Sequence, residues 1–382
     1  MPKRIDTHVH VGVLGDDPAF KRYGAISPWM RRQLSYRIML VYTRVEPERA
    51  CDQVFLDKTL EAITGSGLDH VVCLAIDPVY DPAGNRREDL SNMWVDNEYI
   101  LKKLAPRAEG KVLLGASVHP YDPGFKARVA RYAAAGAVLL KWLPSAQQID
   151  LADPRVRVAL EFLATAGKGG RPLPLLLHVG PEYSIMSTDP RTWSYDFLSW
   201  GFWDKVGNRL RRKSKRWHTP DVEAIEANLR GGLDAGACII FAHCGLPYFA
   251  TKFLAFLEHS DFDAVRAYLG RYPGGDGSRS KCFADVSACV TPFRRTFFSD
   301  IRELPGGSLL AGSDFPTPVF ELSADLAENL RDFEAMVTRG ELDRIVVPQD
   351  NLLKVNRDEL EKAFGEQHLM FQNAAELLLS GS

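Results

Sequence analysis

Short apolar runs, many of them rich in β-branched residues or leucine, alternate with longer amphipathic stretches along most of the chain. The runs predict strands near 4–10, 70–76, 112–118, 137–142, 174–179, 237–243, 282–287 and 308–312. Helices are predicted at 52–66, 92–105, 124–135, 154–166, 221–235, 261–271, 292–302 and 323–339. In the third of these, Phe125, Val129 and Tyr132 recur at helical spacing and Gly136 marks the end. Alternation of this kind repeated eight times predicts an α/β fold, a closed (β/α)8 TIM-like barrel in preference to a doubly wound open sheet. Two connections are long, about 11–50 after the first strand and about 180–220 after the fifth. Beyond about 340, Glu359 to Phe364 and Leu369 to Leu379 read as a C-terminal helical extension packed on the barrel, within a single domain spanning 1–382.

The barrel prediction directs attention to the C-terminal strand ends, where such folds place their chemistry. The first strand carries Asp6-Thr7-His8-Val9-His10. Alternate residues of a strand share a face, so His8 and His10 can present two imidazoles to one ion. The fourth strand ends in Lys141, the fifth in His178 and the sixth in His243, while Gly312-Ser313-Asp314 follows the eighth. Ionisable side chains at the ends of apolar strands are expensive to bury unless paired or bound to metal.

With these landmarks the chain resembles the amidohydrolase superfamily, in particular its amidohydrolase-related group of metal-dependent hydrolases and decarboxylases. The resemblance runs from Asp6-Thr7-His8-Val9-His10 through Gly115-Ala116-Ser117-Val118-His119-Pro120 and His243-Cys244-Gly245 to Asn373-Ala374-Ala375-Glu376-Leu377-Leu378. It implies that His8, His10, His178 and Asp314 hold a catalytic divalent metal. It also implies that His243 binds a second metal or polarises the substrate, and that Lys141 is carboxylated in some members to bridge two metals.

Three neutral imidazoles and a carboxylate suit zinc or a similar borderline ion, with a position left for water. Asp314 is then the general base that takes the water's proton and returns it to the leaving group. Gly312 permits close approach beside it, and Pro316 turns the chain away from helix. A carbamate on Lys141 requires a deprotonated amine; the alternative is an ammonium pairing with Asp314 or with a substrate carboxylate. One metal ion is expected in preference to two. His119 and Tyr183 are candidate substrate contacts, while His70, His218, His259 and His368 lack partners that suggest a site.

The first long loop mixes aromatics with arginines, including Phe20, Tyr23, Trp29, Arg31, Tyr36 and Tyr42, and the second holds Tyr183, Trp193, Tyr195 and Trp203. Connections of this length are usually lids or binding elements. Six of the eight residues 209–216 are basic within a chain of net charge −2, a segment read as a solvated helix face or as attraction to an anionic substrate, acidic partner or lipid surface. The overall charge argues against a generic nucleic-acid binder. The composition, 46% hydrophobic and 25% charged, is that of an ordinary globular protein. No apolar stretch reaches the roughly 20 residues of a membrane span, no signal peptide is visible, and the scattered cysteines suit reduced core thiols. A cytoplasmic enzyme is expected, with a small-molecule substrate and a homodimer as the default assembly. The leading reaction is hydrolysis of an amide, lactone or ester; decarboxylation of an aromatic or unsaturated carboxylate is the alternative, and a non-catalytic metal-stabilised binding module comes third.

Overall fold

The computed structural model describes residues 3–179, 184–185, 221–247, 260–275, 281–316, 321–322, 345–346 and 348–379. Tyr183, the segment 209–216 and the helix expected at 323–339 lie outside these residues.

Eight parallel strands follow one another in chain order around the sheet. They are β1 (Ile5–His10), β2 (His70–Leu74), β3 (Val112–Ala116), β4 (Ala137–Trp142), β5 (Leu175–Leu177), β6 (Cys238–Phe241), β7 (Lys281–Asp285) and β8 (Leu309–Leu310). All eight lie where the apolar runs predict them. The barrel closes where β8 and its following loop meet β1: Thr7 N–H donates to Ala311 O at 3.1 Å, His10 N–H to Phe315 O at 2.7 Å and Asp314 N–H to His8 O at 2.8 Å.

Ile5, Val72, Leu74, Leu139, Leu176, Ile240, Phe283 and Leu310 fill the interior. A second, larger cluster lies between the strands and the surrounding helices, and Val9 belongs to it. The pairing of β1 with β2 shifts register between Asp6 and Val9. Such a bulge changes the phase of the pleat, and so Ile5 can face the interior while His8 and His10 do so as well.

The longer helices among the described residues are α1 (Leu34–Thr43), α2 (Asp52–Thr64), α3 (Phe125–Ala134), α4 (Pro154–Leu163), α5 (Val222–Asp234), α6 (Phe262–Arg271), α7 (Leu352–Phe364) and α8 (Met370–Leu379). Phe125, Val129 and Tyr132 form the buried face of α3 as their spacing predicts. Helix starts carry side-chain caps: Asp153 accepts from Arg155 N–H, Asp221 from Ala224 N–H, and Asn351 from Leu353 and Lys354 N–H. Helix α8 packs against β1, β4 and β8 and adds Ala374 to the interior cluster, closing the N-terminal end of the barrel. None of the helices among the described residues is long and apolar enough to cross a membrane.

Two expectations need correction. The stretch 92–105 begins as a strand, Met93–Val95, paired antiparallel with Gly24–Ile26, because it is covered by the loop after β1. That loop is itself packed onto the barrel: Phe20, Tyr23, Tyr36 and Tyr42 are buried core residues, while Trp29 is 37% exposed. The buried Asp52 at the start of α2 holds it down by accepting the main-chain N–H groups of Leu14, Gly15, Asp16 and Asp17 at 2.7–3.1 Å. Its aromatics therefore supply core before they supply a binding surface.

Candidate metal centre

His8 and His10 leave the end of β1 side by side, with their Nε2 atoms 3.1 Å apart. Asp314 Oδ1 completes a triangle, 3.3 Å from His8 Nε2 and 3.2 Å from His10 Nε2. Lys141 Nζ, from the end of β4, is 3.4 Å from His8 Nε2. His243 stacks on His8 with ring centroids 5.1 Å apart, and His178 meets His243 edge-on at 5.2 Å. The structure therefore gathers His8, His10, Lys141, His178, His243 and Asp314 at the C-terminal end of the barrel.

Donors about 2.0–2.1 Å from one ion at tetrahedral angles stand about 3.3–3.4 Å from each other. The triangle's edges of 3.1–3.3 Å fit such a set. The protonation states fit too, since metal ligands must be unprotonated. Burial, with Lys141 adding to it, holds His8 below the ordinary imidazole range despite Asp285 and Asp314. Burial and the neighbouring His243 hold His178 well below it. Burial alone would raise Asp314, but His243, His8 and the hydrogen bond from His10 outweigh it and keep the carboxyl well below its usual range.

The groups that hold the far nitrogens of the rings assign their tautomers. His8 Nδ1 faces the Asp285 carboxylate at 2.8 Å, so it carries the proton and Nε2 is left with its lone pair toward the triangle. His243 Nδ1 lies 3.0 Å from the carbonyl of Ser287, which can only accept. Its Nε2 is accordingly an acceptor, and burial lowers the ring's pKa to about 3. A neutral His243 in this tautomer suits metal ligation or proton acceptance better than donation of a hydrogen bond to a substrate carbonyl.

Asp6 ties the two halves of the triangle together. Its Oδ1 accepts from the main-chain N–H of His8 and of Ser313, both at 3.0 Å. Asp314 follows in a left-handed conformation, φ 64°. Gly312 is needed for close approach, because a Cβ there would stand 3.1 Å from His8 Cβ and 3.2 Å from Ser287 Cβ. Gly312→Ala should therefore push His8 aside, with a loss of about 1–3 kcal/mol in stability and weaker metal uptake. Unchanged zinc affinity by chelator competition would count against this placement of His8.

His119 serves differently from the substrate contact expected of it. Its Nε2 meets the Gln147 carbonyl at 2.9 Å and its Nδ1 accepts from Tyr121 N–H at 3.1 Å, which uses both ring nitrogens. It pins the loops after β3 and β4 together, beside an Asp77–Arg128 ion pair at 2.9 Å.

Sequence reasoning missed the parts played by Asp285, Ser287 and Asp6. Asp285 carries a usable signal, since it ends an apolar strand as Lys141 and His178 do. The strand expected over 282–287 hides that position inside it.

A closed (β/α)8 barrel with a histidine and aspartate cluster at the C-terminal ends of its strands defines the class of protein. In particular, the chain is similar to an amidohydrolase from Burkholderia multivorans solved with bound HEPES, at 14% identity over 99% of each chain and a TM-score of 0.46. It is also similar to a probable 2-pyrone-4,6-dicarboxylic acid hydrolase from Acinetobacter baumannii solved with citric acid, at 12% identity over 94% of this chain and 98% of that one, TM-score 0.42. No family model and no curated protein matches the sequence.

Proposed function

We propose that this chain is a metal-dependent hydrolase of a small organic substrate bearing an anionic group. The observation that carries the reading is the triangle of His8 Nε2, His10 Nε2 and Asp314 Oδ1, with edges of 3.1–3.3 Å. His178, at the end of β5, is the fourth ligand in this reading. When bound, a divalent ion such as zinc supplies Lewis acidity sufficient to bring a water pKa from about 15.7 to about 7.

The chain's own residues then have separate tasks. Asp314, ionised at neutral pH, takes the proton of the attacking water and returns it to the leaving group. His243 holds its Nε2 lone pair toward the site through the Ser287 carbonyl. A single ion is favoured, because in the other candidate group among the described residues His8 Nδ1 is hydrogen-bonded to Asp285 and His243 Nδ1 to the Ser287 carbonyl. The anionic group of the substrate is supported by two buried basic side chains. Lys141 is 1% exposed and Arg294 is 3% exposed. Arg294 Nε donates to Pro247 O at 2.9 Å, just after the His243 turn, and its charge helps to depress His243. A buried positive charge is screened little by solvent, so an anionic group brought beside the Arg294 guanidinium, or beside Lys141 in its ammonium form, is attracted more strongly than in water.

The same cations keep decarboxylation of an aromatic or unsaturated carboxylate as the second reading. Metal-loaded protein offered carboxylate-bearing lactones, amides and esters in ¹⁸O-water should place the label in the product. Carbon dioxide release without label would establish the second reading, and no turnover of any kind would sink both. Arg294→Met should raise KM for the anionic substrate about tenfold to a hundredfold, the loss of one hydrogen-bonded charge, with a smaller change in kcat. An unchanged KM would remove Arg294 from the substrate site. The six cysteines are free and five of them are buried, which supports a reducing, cytoplasmic setting.

A further inference from the structure

Asp285 is a fully buried carboxylate that takes no direct part in the proposed reaction. Four donors converge on it. His8 Nδ1 reaches Oδ2 at 2.8 Å. Oδ1 accepts the main-chain N–H of His243 at 3.0 Å and of Ser287 at 3.1 Å, together with the Ser287 hydroxyl. Three of the four donors crowd Oδ1 and the His8 ring takes Oδ2, so both carboxylate oxygens are engaged in hydrogen bonds. Ser287 Oγ also lies 3.0 Å from His8 Nδ1 and 2.8 Å from His243 Nδ1.

The two residues that Asp285 grips are adjacent in space, with rings stacked at 5.1 Å, but come from strands far apart in the chain. His8 stands on β1, and its ring has two tautomers of which only one leaves Nε2 able to bind an ion. His243 follows β6 in a left-handed conformation, φ 54° and ψ 24°, which a residue with a Cβ adopts only when its surroundings hold it there. The hydrogen bond from its N–H to Asp285 is one such restraint. Neighbouring His10 has no matching support: among the described residues its buried Nδ1 finds no hydrogen-bond partner.

We propose that Asp285 is a positioning residue that selects the Nδ1–H tautomer of His8 and locks the His243 turn, so that one carboxylate sets two imidazoles of the site. The metal half of this inference rests on the hydrolase reading above; the tautomer half does not. Asp285→Asn is the informative variant. To keep the main-chain bonds to Oδ1, the amide must turn its NH2 toward His8 Nδ1–H, where two donors collide. His8 then escapes by moving its proton to Nε2, which blocks the face of the ring toward the triangle.

The test uses the full chain, metal-free, with ¹⁵N-labelled histidine, and the His8 signal is assigned by its disappearance in His8→Gln. Long-range ¹H–¹⁵N spectra should show His8 as the Nδ1–H tautomer in the wild type and as Nε2–H in Asp285→Asn. Zinc affinity, measured by chelator competition, should fall about 10–100-fold in the variant, the usual effect of losing an outer-shell acceptor. A wild-type protein in which His8 is Nε2–H overturns the proposal whatever the variant does, and so needs no folded variant. A folded Asp285→Asn that keeps Nδ1–H and zinc affinity within twofold also overturns it. If the tautomer switches as expected but even the wild type fails to bind zinc, the positioning role stands and the hydrolase reading is the part that falls.

Discussion

Asp314→Asn should fold, melt close to the wild type and lose about 10³-fold or more in kcat/KM. The substitution is informative because of the backbone at this position. Asp314 has φ 64°, a conformation that asparagine and aspartate tolerate better than other residues with a Cβ. The main-chain bond from Asp314 N–H to His8 O at 2.8 Å, which helps close the barrel, does not involve the side chain and survives. What disappears is a negative charge 3.2–3.3 Å from two imidazole nitrogens, the group assigned to take the water's proton. General-base catalysis alone is worth about 10²–10⁴, and weaker ion binding adds to its loss. Alanine would be a poorer choice, since left-handed strain of about 1–2 kcal/mol per residue would confuse stability with chemistry. Steady-state rates, zinc stoichiometry and a thermal melt on the same preparation decide the matter. Turnover within tenfold of the wild type would take the base role away from Asp314.

Acid should destabilise the protein from about pH 6.5 downward, and His119 should account for about 2 kcal/mol of the loss by pH 5. Burial holds this ring at a pKa of about 3, with Arg155 and Arg128 helping and the bond to the Gln147 carbonyl opposing. In the unfolded chain the same imidazole titrates near 6.5. Between those values the unfolded state binds a proton that the folded state refuses, so stability rises with pH. The contribution is complete above about 6.5 and fades as pH falls toward about 3. His119→Gln cannot take up the proton but keeps an amide N–H for the Gln147 carbonyl. Urea unfolding at pH 7.5 and pH 5 should therefore show the advantage of the wild type over His119→Gln shrinking by about 2 kcal/mol. An equal pH slope in the two proteins would show that His119 is not the buried neutral ring described here.

Much of the scaffold is legible in the sequence because burial on both faces leaves a simple trace. A parallel barrel strand is a short apolar run, and each of the eight shows as one. The ends of those runs expose the ionisable residues, which is why His8, His10, Lys141, His178, His243 and Asp314 stand out from the amino-acid pattern alone. The first long loop misleads for a related reason. Its aromatics look the same in sequence whether they line a substrate cleft or, as with Phe20, Tyr23, Tyr36 and Tyr42, fill core beneath it.

The amino-acid pattern by itself determined the number and order of the eight barrel strands, the helices α2 to α8 in outline, and the residues gathered at the C-terminal rim. It could do so because periodicity and burial are local properties, written within a few turns of chain. Tertiary structure alone decided which partner each of those residues meets. The shift in register between Asp6 and Val9 swings His8 and His10 to the interior without altering composition. The tautomer of His8 depends on Asp285, 277 residues away. Hydrogen bonds of that reach leave no periodic signature, because they are set by the closure of the barrel and by no feature of either segment.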